Sequence, residues 1–288
     1  MAVSKIAVLG AGLMGHGIAQ VAAQFAKTEV YLTDAKQELL DRGVKMIESS
    51  LERFVKKGDL TTDESAKIRS RIHPVTSLGD AVRDVDLVIE VVPEDIELKR
   101  RLLSEVDRKI RNDTIIASNT SSLSITMLAK ATRRTEKFCG MHFFNPPQLM
   151  KLVEIVRGNK TSDETVQVVK ELAERMGKDP VVVKKDAPGF IVNRILVPAL
   201  NEAIALVQEG VADPADIDKA IKLGLNWPMG PLALSDYIGL DTVLAMSNVV
   251  SKATKQGRGT ALLRKMVKSS RLGRKSGKGF FDWPEKGG

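Results

Sequence analysis

The segment from residue 5 to residue 34 constrains the fold of this chain more than any other part of the sequence. A short run of strand-forming residues leads into three glycines, Gly10, Gly12 and Gly15, with the spacing G-x-G-x-x-G. A helical pattern follows, and a second strand run then ends at Asp34. Strand, glycine turn, helix, strand and acid occur in the order that dinucleotide-binding βαβ units require. The segment therefore predicts a bound dinucleotide.

Each part of the turn has its own task in dinucleotide binding. Gly10 permits a tight turn, Gly12 lets a pyrophosphate approach the bare backbone, and Gly15 allows the helix to pack closely on the strand. Backbone N–H groups at the start of the helix, around Leu13 and Met14, are expected to bind the phosphate charge.

Asp34 bears on which dinucleotide is bound. A carboxylate at the tip of the second strand accepts hydrogen bonds from both ribose hydroxyls of adenosine and repels a 2′-phosphate, so we predict NAD rather than NADP. The alternative is a glycine-rich turn in another kind of α/β protein, and the complete order of elements disfavours it.

The composition excludes several other classes of protein. Hydrophobic residues make up 43% of the 288 residues and charged residues 28%, which suits one large or two smaller globular domains. Aromatic residues are only 4%, so the core is expected to be aliphatic. Because no apolar run approaches a membrane span and the first strand begins at once, we expect no membrane partner and no signal peptide. The single cysteine, Cys139, rules out an internal disulfide framework and predicts a cytoplasmic protein.

Positive charge is concentrated towards the C-terminal end. Residues 252–278 contain ten Lys and Arg and no acidic residue, whereas the whole chain has a net charge of +8, so the remainder carries −2. Such a run attracts polyanions, which include nucleic acid and the phosphates of a large anionic ligand, and the alternative is an ordinary solvated surface. Because no aromatic residues alternate with these charges, a nucleic-acid partner is not expected.

Residues 1–185 alternate strand and helix patterns, which predicts a Rossmann-type, doubly wound α/β domain with a parallel sheet. The largest insertion, at about residues 36–70, is predicted to form an antiparallel pair of helices, with Thr61 or Thr62 as the N-cap of the second. The predicted strands are Ile6–Leu9, Val30–Thr33, Leu87–Val92, Thr114–Ser118, Lys137–Phe144, Leu152–Val156 and Pro180–Val183.

Residues 186–288 differ in character and are predicted to form an all-α domain. No convincing strand run occurs there until the last few residues. The predicted helices are Phe190–Glu209 with a kink at Pro198, one that starts at Asp213-Pro214, Leu240–Ala253 and Thr260–Ser269.

Catalytic chemistry is expected at the carboxyl ends of the strands, where open α/β sheets bind their ligands. His142 stands among apolar neighbours in a strand run and is a candidate general base. Glu154, on an adjacent antiparallel or hairpin strand, would orient the imidazole ring and stabilise its protonated form. The alternative is a core histidine without a catalytic task. Cys139 and His142 cannot complete a metal site, so no metal is expected.

Four further motifs carry a resemblance to a known family. They are SNTSSLSI, GMHFFNPPQLMKLVEIV, DAPGFIVNRILVPALNEA and WPMGPLALSDYIGLD, which follow GAGLMG in this order. Through them nearly the whole chain resembles the L-3-hydroxyacyl-CoA dehydrogenase family. The resemblance implies a Rossmann-type domain followed by an all-α C-terminal domain that forms a homodimer. It also implies reversible, NAD-dependent oxidation of a (S)-3-hydroxyacyl-CoA of short chain, such as 3-hydroxybutyryl-CoA, to the 3-ketoacyl-CoA.

The resemblance further implies roles for individual residues. His142 would be the catalytic base and Glu154 its partner. Ser121 would contact both substrate and cofactor, and Asn193 would assist at the reacting oxygen. The positions that match NAD contacts are Glu94, Lys99, Asn145 and Lys275, and those that match CoA contacts are Ser50 and Lys57.

Two other functions stay open on the sequence. One is an NAD-dependent dehydrogenase of a free sugar acid or hydroxy acid, which would use the same histidine and carboxylate without CoA. The other is a non-catalytic role, either as a structural protein that kept a nucleotide fold or as a nucleic-acid binder that uses residues 252–278. The pair Gln148-Leu149 departs from several members of the family, so the resemblance leaves the acyl chain length open.

Overall fold

A computed structural model describes residues 3–254 and 259–284. The chain divides into two units, Met1–Asp186 and Ala187–Gly288. Lys255 and Arg258, which belong to the basic run, lie outside the described residues, as does the side chain of Lys252.

An eight-stranded sheet organises the first unit. Its strands are β1 (Lys5–Leu9), β2 (Glu29–Thr33), β3 (Ile72–Pro74), β4 (Leu87–Glu90), β5 (Ile115–Ser118), β6 (Phe138–Phe143), β7 (Leu152–Arg157) and β8 (Asp179–Val183). The helices around it are α1 (Gly15–Val21, continued by a π-helix at Ala22–Ala26), α2 (Gln37–Lys57), α3 (Thr62–Ser70), α4 (Leu78–Val82), α5 (Ile96–Asp107), α6 (Ile125–Ala129) and α7 (Asp163–Arg175). The strand order is β3-β2-β1-β4-β5-β6-β7-β8, which contains the 3-2-1-4-5-6 order of a Rossmann sheet. The predicted Rossmann-type fold is confirmed.

The sheet is parallel as predicted except between β6 and β7, where an antiparallel or hairpin arrangement was expected for Glu154. β6 and β7 pair antiparallel, and β8 then runs parallel to β7. Only residues 144–151 join β6 to β7, and a parallel crossover needs about a dozen residues or more. The chain therefore turns back as a hairpin, which is the arrangement expected for the strands that carry His142 and Glu154.

The edge strand β3 was missed, and β4 is shorter than predicted. β3 has three residues, Ile72–Pro74, and pairs with β2. β4 ends at Glu90 rather than at Val92. The Glu90 carboxylate accepts a hydrogen bond from the Val92 N–H at 2.7 Å, and this local bond replaces the next step of the ladder.

The helix pair between β2 and β3 is formed by α2 and α3. Gly58 ends α2 with φ +78°, a left-handed conformation that glycine adopts without strain. Thr61, one of the two predicted N-caps, begins α3 with a complete capping box, in which Thr61 and Glu64 exchange side-chain-to-backbone hydrogen bonds.

The second unit is helical throughout its described core. Its helices are α8 (Val192–Gln208), α9 (Pro214–Leu225), α10 (Pro231–Ile238), α11 (Leu240–Thr254) and α12 (Ala261–Lys268). Pro198 lies inside α8, and Asp213 and Thr260 are the N-caps of α9 and α12. The sequence did not anticipate α10. Beyond α12 the chain forms a short 3₁₀ turn, Arg274–Ser276, and two isolated β-bridges.

Aliphatic side chains fill both units, as the composition predicted. The first core contains Val, Ile, Leu and Ala from β1, β2, β4 and the helices, with Phe143 from β6. The second packs α8 to α12 around residues such as Leu200, Ile204, Leu232 and Leu263. Of the helices that the structure describes, none combines the length and apolar character needed to cross a bilayer.

Candidate active site

The glycine turn lies after β1, where the strand order reverses and open sheets bind their ligands. Gly10 has φ +109°, and its N–H donates to the Thr33 carbonyl at 2.8 Å. A Cβ at Gly15 would lie 1.7 Å from the Gly10 carbonyl oxygen, so only glycine fits there. At Gly12 an added Cβ would meet nothing within 4 Å, so the backbone faces open space. The turn therefore fits a pyrophosphate.

The start of α1 supplies hydrogen-bond donors to the same space. Met14 is the N-cap, and its side chain makes no capping hydrogen bond. Backbone N–H groups in a first turn of this kind can be satisfied by a ligand phosphate, which the positive end of the helix also attracts. The side chain of Leu13 is 60% exposed beside them.

Asp34 follows β2 and is bound to the glycine turn. Its Oδ2 accepts a hydrogen bond from the Ala11 N–H at 2.7 Å, and its Oδ1 accepts one from the Ala35 N–H at 2.7 Å. The carboxylate is thus held at the tip of β2, the position from which an acid binds the adenosine ribose in this fold. The bond to Ala11 also braces the turn, a contact that the sequence motif did not predict.

Gly12→Ala is expected to weaken NADH binding by about tenfold or more while leaving the free energy of unfolding nearly unchanged. The added methyl group meets no protein atom, but it occupies the space in front of the bare backbone. Thermal unfolding without ligand and fluorescence titration with NADH measure the two effects. Gly15→Ala is the matched control, and its clash with Gly10 predicts loss of stability. Unchanged NADH affinity in Gly12→Ala would contradict this assignment of the turn.

His142 and Glu154 lie directly opposite each other on the antiparallel strands β6 and β7. The Cβ atoms of such directly opposed residues are about 5 Å apart, so an imidazole ring and a carboxylate can meet. His142 Nδ1 lies 2.7 Å from Glu154 Oε2, and the two residues are 5% and 1% exposed. The Phe144 ring packs on the imidazole with a centroid distance of 4.6 Å. The structure thus brings together the two side chains that the sequence suggested as partners.

Glu94 follows β4 and binds the turn that follows β5. Its Oε1 accepts hydrogen bonds from Thr120 Oγ1 at 2.6 Å and from the backbone N–H groups of Ser121 and Ser122, both at 3.1 Å. Burial raises the pKa of Glu94, but the charge of Lys99 and these hydrogen bonds outweigh it and lower the pKa below its ordinary value. Glu94 is therefore a charged acceptor that holds the Ser121 turn.

Lys99 lies beneath this turn and is 1% exposed. Its Nζ is 2.6 Å from Glu90 Oε1, donates to the Val92 carbonyl at 2.9 Å and lies 3.5 Å from Glu94 Oε2. Glu90 is fully buried and was not singled out from the sequence. An acid inside the apolar strand run LVIEVV was the signal that could have found it, since a buried carboxylate requires a partner.

The edge of the sheet continues at β6. Asn145 is exposed just beyond β6, and its peptide bond to Pro146 is cis. Asn119, which follows β5, accepts a hydrogen bond from the Phe143 N–H at 2.8 Å and so joins the ends of the two strands. Hydrogen bonds therefore join the residues that follow β4 to those that follow β5, and join the latter to the last residue of β6.

The remaining candidates lie on other elements. Ser50 and Lys57 are both on α2, where Ser50 is 3% exposed and Lys57 is an exposed residue of the last turn. Asn193 and Lys275 belong to the second unit. Asn193 is 7% exposed in the first turn of α8, and Lys275 Nζ forms an ion pair with Asp241 Oδ1. Within residues 3–254 and 259–284, no three His, Cys, Asp or Glu side chains group so as to hold a metal ion.

A Rossmann sheet with open space in front of Gly12 and an acid fixed at the tip of β2 places this chain among the dinucleotide-binding proteins. Comparison with known families narrows the class. Residues 5–187 match the model of the 3-hydroxyacyl-CoA dehydrogenase NAD binding domain, and residues 189–283 match that of the 3-hydroxyacyl-CoA dehydrogenase C-terminal domain. The chain belongs to the 3-hydroxyacyl-CoA dehydrogenase family, as its motifs had indicated.

Several relatives match the chain from end to end. A probable 3-hydroxybutyryl-CoA dehydrogenase of Deinococcus radiodurans is 50% identical over 281 residues, which are 97% of this chain and 100% of the relative. A 3-hydroxybutyryl-CoA dehydrogenase of Clostridioides difficile is 44% identical, over 97% of this chain and 99% of the relative. The crystal structure of (S)-3-hydroxybutyryl-CoA dehydrogenase from Ralstonia eutropha superposes with a TM-score of 0.94 at 44% identity, covering 99% of this chain and 100% of that one.

Proposed function

We propose that the chain oxidises short (S)-3-hydroxyacyl-CoA esters, with 3-hydroxybutyryl-CoA as the main substrate, reversibly to the 3-ketoacyl-CoA. The observation that carries the proposal is the contact of 2.7 Å between His142 and Glu154 in a chain of this family. Relatives named 3-hydroxybutyryl-CoA dehydrogenase support the short acyl chain. These full-length matches favour an acyl-CoA over the free sugar acid or hydroxy acid considered as the alternative.

His142 is proposed to be the general base. Bound NAD supplies the hydride acceptor, and the substrate hydroxyl must lose its proton as its carbon loses hydride. Nε2 of His142 takes that proton in oxidation and returns it in the reverse reaction, so one residue serves both directions. Oxidation thus removes a hydride from C3 and a proton from the oxygen on C3, and reduction returns both.

Glu154 is proposed to orient the ring and to offset its charge. An ionised carboxylate only accepts hydrogen bonds, so Nδ1 of His142 donates to it and the proton-accepting nitrogen is Nε2. When Nε2 gains a proton, the ring becomes a cation beside a buried anion, which stabilises it. The burial of both side chains strengthens this interaction relative to water.

Ser121 and Asn193 are proposed to donate hydrogen bonds to the reacting oxygen, which develops alkoxide character. Ser121 would also contact NAD, together with Glu94, Asn145 and Lys275. Its position at the strand-end turn, with its N–H bound to Glu94, supports this role. Lys99 is 1% exposed and its Nζ is held by Glu90, Val92 and Glu94, so it would act on the NAD site through Glu94. Asn193 and Lys275 are proposed on their match to the family motifs.

The CoA moiety is proposed to bind along α2. Its phosphates attract an exposed ammonium group such as that of Lys57, and Ser50 lies two helical turns earlier on the same helix.

We propose a homodimer formed through the second unit, which is supported by exposed apolar side chains there, including Ile195 at 68% and Leu223 at 77% exposure. A cytoplasmic setting is supported by the free, buried Cys139.

Oxidation of NADH by acetoacetyl-CoA tests the proposed function directly. We expect turnover with NADH, little turnover with NADPH, and decreasing rates as the acyl chain lengthens from C4 to C16. Free acetoacetate should be a poor substrate. Absence of turnover with either cofactor would reject the proposal, and equal rates on free acids would favour the alternative substrate class.

Lys57→Ala is expected to raise the KM for acetoacetyl-CoA about fivefold, which corresponds to about 1 kcal/mol, with little change in kcat. An exposed lysine beside a phosphate contributes to binding but not to the reaction. Lys56→Ala, an exposed neighbour on the same turn of α2, is the matched control and should leave KM unchanged. Equal KM values for the two variants would show that Lys57 does not contribute to CoA binding.

A further inference from the structure

A fully buried ion pair lies next to the turn that follows β5 and contains Ser121, which is called the Ser121 turn below. Glu90 is 0% exposed and Lys99 is 1% exposed, and 2.6 Å separates Glu90 Oε1 from Lys99 Nζ. Burying two charges is costly unless each is paired and its remaining hydrogen-bonding capacity is satisfied. Such a pair is a weak source of stability, so its presence beneath the proposed site calls for another explanation.

The Glu90 carboxylate joins β4 to β5. Its Oε1 accepts the Val92 N–H at 2.7 Å, and its Oε2 accepts the Ser118 hydroxyl at 2.6 Å. The Thr120 N–H in turn donates to Ser118 Oγ at 3.3 Å. Glu90 thereby fixes both the point at which β4 ends and the start of the turn that contains Ser121.

Lys99 links Glu90 to Glu94, which is partly exposed at the edge of the site. Its ammonium group is shared between Glu90 and Glu94, at 2.6 and 3.5 Å. Glu94 uses its other oxygen to hold the N–H groups of Ser121 and Ser122. Glu90 therefore contacts Lys99, Lys99 contacts Glu94, and Glu94 contacts the Ser121 turn.

Glu90 and Glu94 both pair with the ammonium group of Lys99, and the shorter distance to Glu90 shows that Glu90 is its main partner. Because Lys99 lies nearer to Glu90, Glu94 keeps its Oε1 for the Ser121 turn. Without the Glu90 charge, the buried ammonium of Lys99 would draw Glu94 inward, since an uncompensated buried cation is strongly unfavourable. The movement would loosen the hydrogen bonds to Ser121 and Ser122.

We propose that Glu90 is a positioning residue for the reaction, which anchors Lys99 so that Glu94 holds the Ser121 turn in its reactive geometry. The inference rests on the proposed function for the role of Ser121. Lys99 then acts on the cofactor and substrate site through Glu94 and the end of β4. Glu90 itself, fully buried, touches neither substrate nor cofactor.

Glu90→Gln tests the proposal against a matched control, Asp107→Asn. Asp107 is a buried carboxylate on the same helix as Lys99, eight residues further on, and it forms ion pairs with Arg134 at 2.6 Å and Arg133 at 2.9 Å. Both variants are expected to lose stability. At a temperature where both are folded, only Glu90→Gln should lower kcat for acetoacetyl-CoA, by about tenfold to a hundredfold. Kinetics that match those of Asp107→Asn would overturn the proposal.

A crystal structure of Glu90→Gln without ligands gives a readout that does not depend on activity. We expect Glu94 to have moved towards Lys99 and to have lost its bonds to the Ser121 and Ser122 N–H groups. Unmoved Glu94 would overturn the proposal. If the wild-type protein fails to turn over acetoacetyl-CoA, the proposed function fails, and this structure still decides whether Glu90 positions Glu94.

The double variant E90Q/K99M covers the case in which Glu90→Gln does not fold. It removes both buried charges, so no uncompensated cation remains to draw Glu94 inward. We expect Glu94 to stay on the Ser121 turn in its crystal structure and, where the single variant folds, kcat above that of Glu90→Gln. A displaced Glu94 would show that the uncompensated charge of Lys99 is not what moves it. A kcat below that of Glu90→Gln would show that Lys99 is itself required at the site, and either result would overturn the proposal.

Discussion

Replacing His142 by alanine is expected to lower kcat for acetoacetyl-CoA reduction by about 10³-fold while the affinity for NADH stays unchanged. In the proposed mechanism the proton that reaches the developing alkoxide comes from the imidazole, and no other group is proposed to replace it. Binding of the dinucleotide is proposed to depend instead on the glycine turn and Asp34, which the structure joins by a hydrogen bond. Steady-state kinetics with acetoacetyl-CoA and fluorescence titration with NADH measure the two quantities.

His73→Ala is the matched control for this variant. His73 also pairs with a glutamate on a neighbouring strand, since its Nε2 lies 2.6 Å from Glu29 Oε2. His73 lies on the edge strand β3 and Glu29 on β2, and both side chains are partly exposed. We expect His73→Ala to leave kcat unchanged. A comparable loss in both variants, or none in His142→Ala, would show that the base is misassigned.

Glu154→Gln is expected to lower kcat by about 10²-fold or more without a large change in the KM for NADH. Glutamine keeps the size of the side chain but removes the negative charge that stabilises the protonated ring. Its amide can also donate to Nδ1, which favours the wrong tautomer of His142. The measurement is kcat in both reaction directions, with Glu29→Gln as the control at the exposed pair. Full activity in Glu154→Gln would exclude the proposed partnership.

Much of the fold could be predicted because its elements are marked locally. The glycine turn, the capping residues Thr61 and Thr260, and the apolar runs of β1 and β4 are signals contained within a few residues. The strand β3 could not be found in the same way. It has three residues, one of them a proline, and is defined by its pairing with β2 rather than by its own sequence.

The antiparallel pairing of β6 and β7 follows from the length of the connection between them and not from a sequence motif. The short connection at residues 144–151 excludes a crossover, so the antiparallel register that sets His142 opposite Glu154 follows from chain geometry. The sequence could suggest both residues but not the register. The fact that they fall on directly opposed positions is a result of the structure.

The support beneath the site was the part least visible in the sequence. Lys99 was expected to contact the cofactor by resemblance alone, whereas the structure surrounds its ammonium with Glu90, Val92 and Glu94. Contacts of this kind join residues that are distant in the chain, as Glu94 and Ser121 are. Sequence patterns report the periodicity of single elements, and they carry no information on which strand ends meet.

The pH dependence of kcat/KM for oxidation of (S)-3-hydroxybutyryl-CoA tests the central claim most directly. The base must be neutral to accept the hydroxyl proton, so the wild-type rate should fall at acidic pH. In His142→Ala the residual rate should lose this acid limb. The same acid limb in His142→Ala and the wild-type protein would contradict the assignment of His142 as the base.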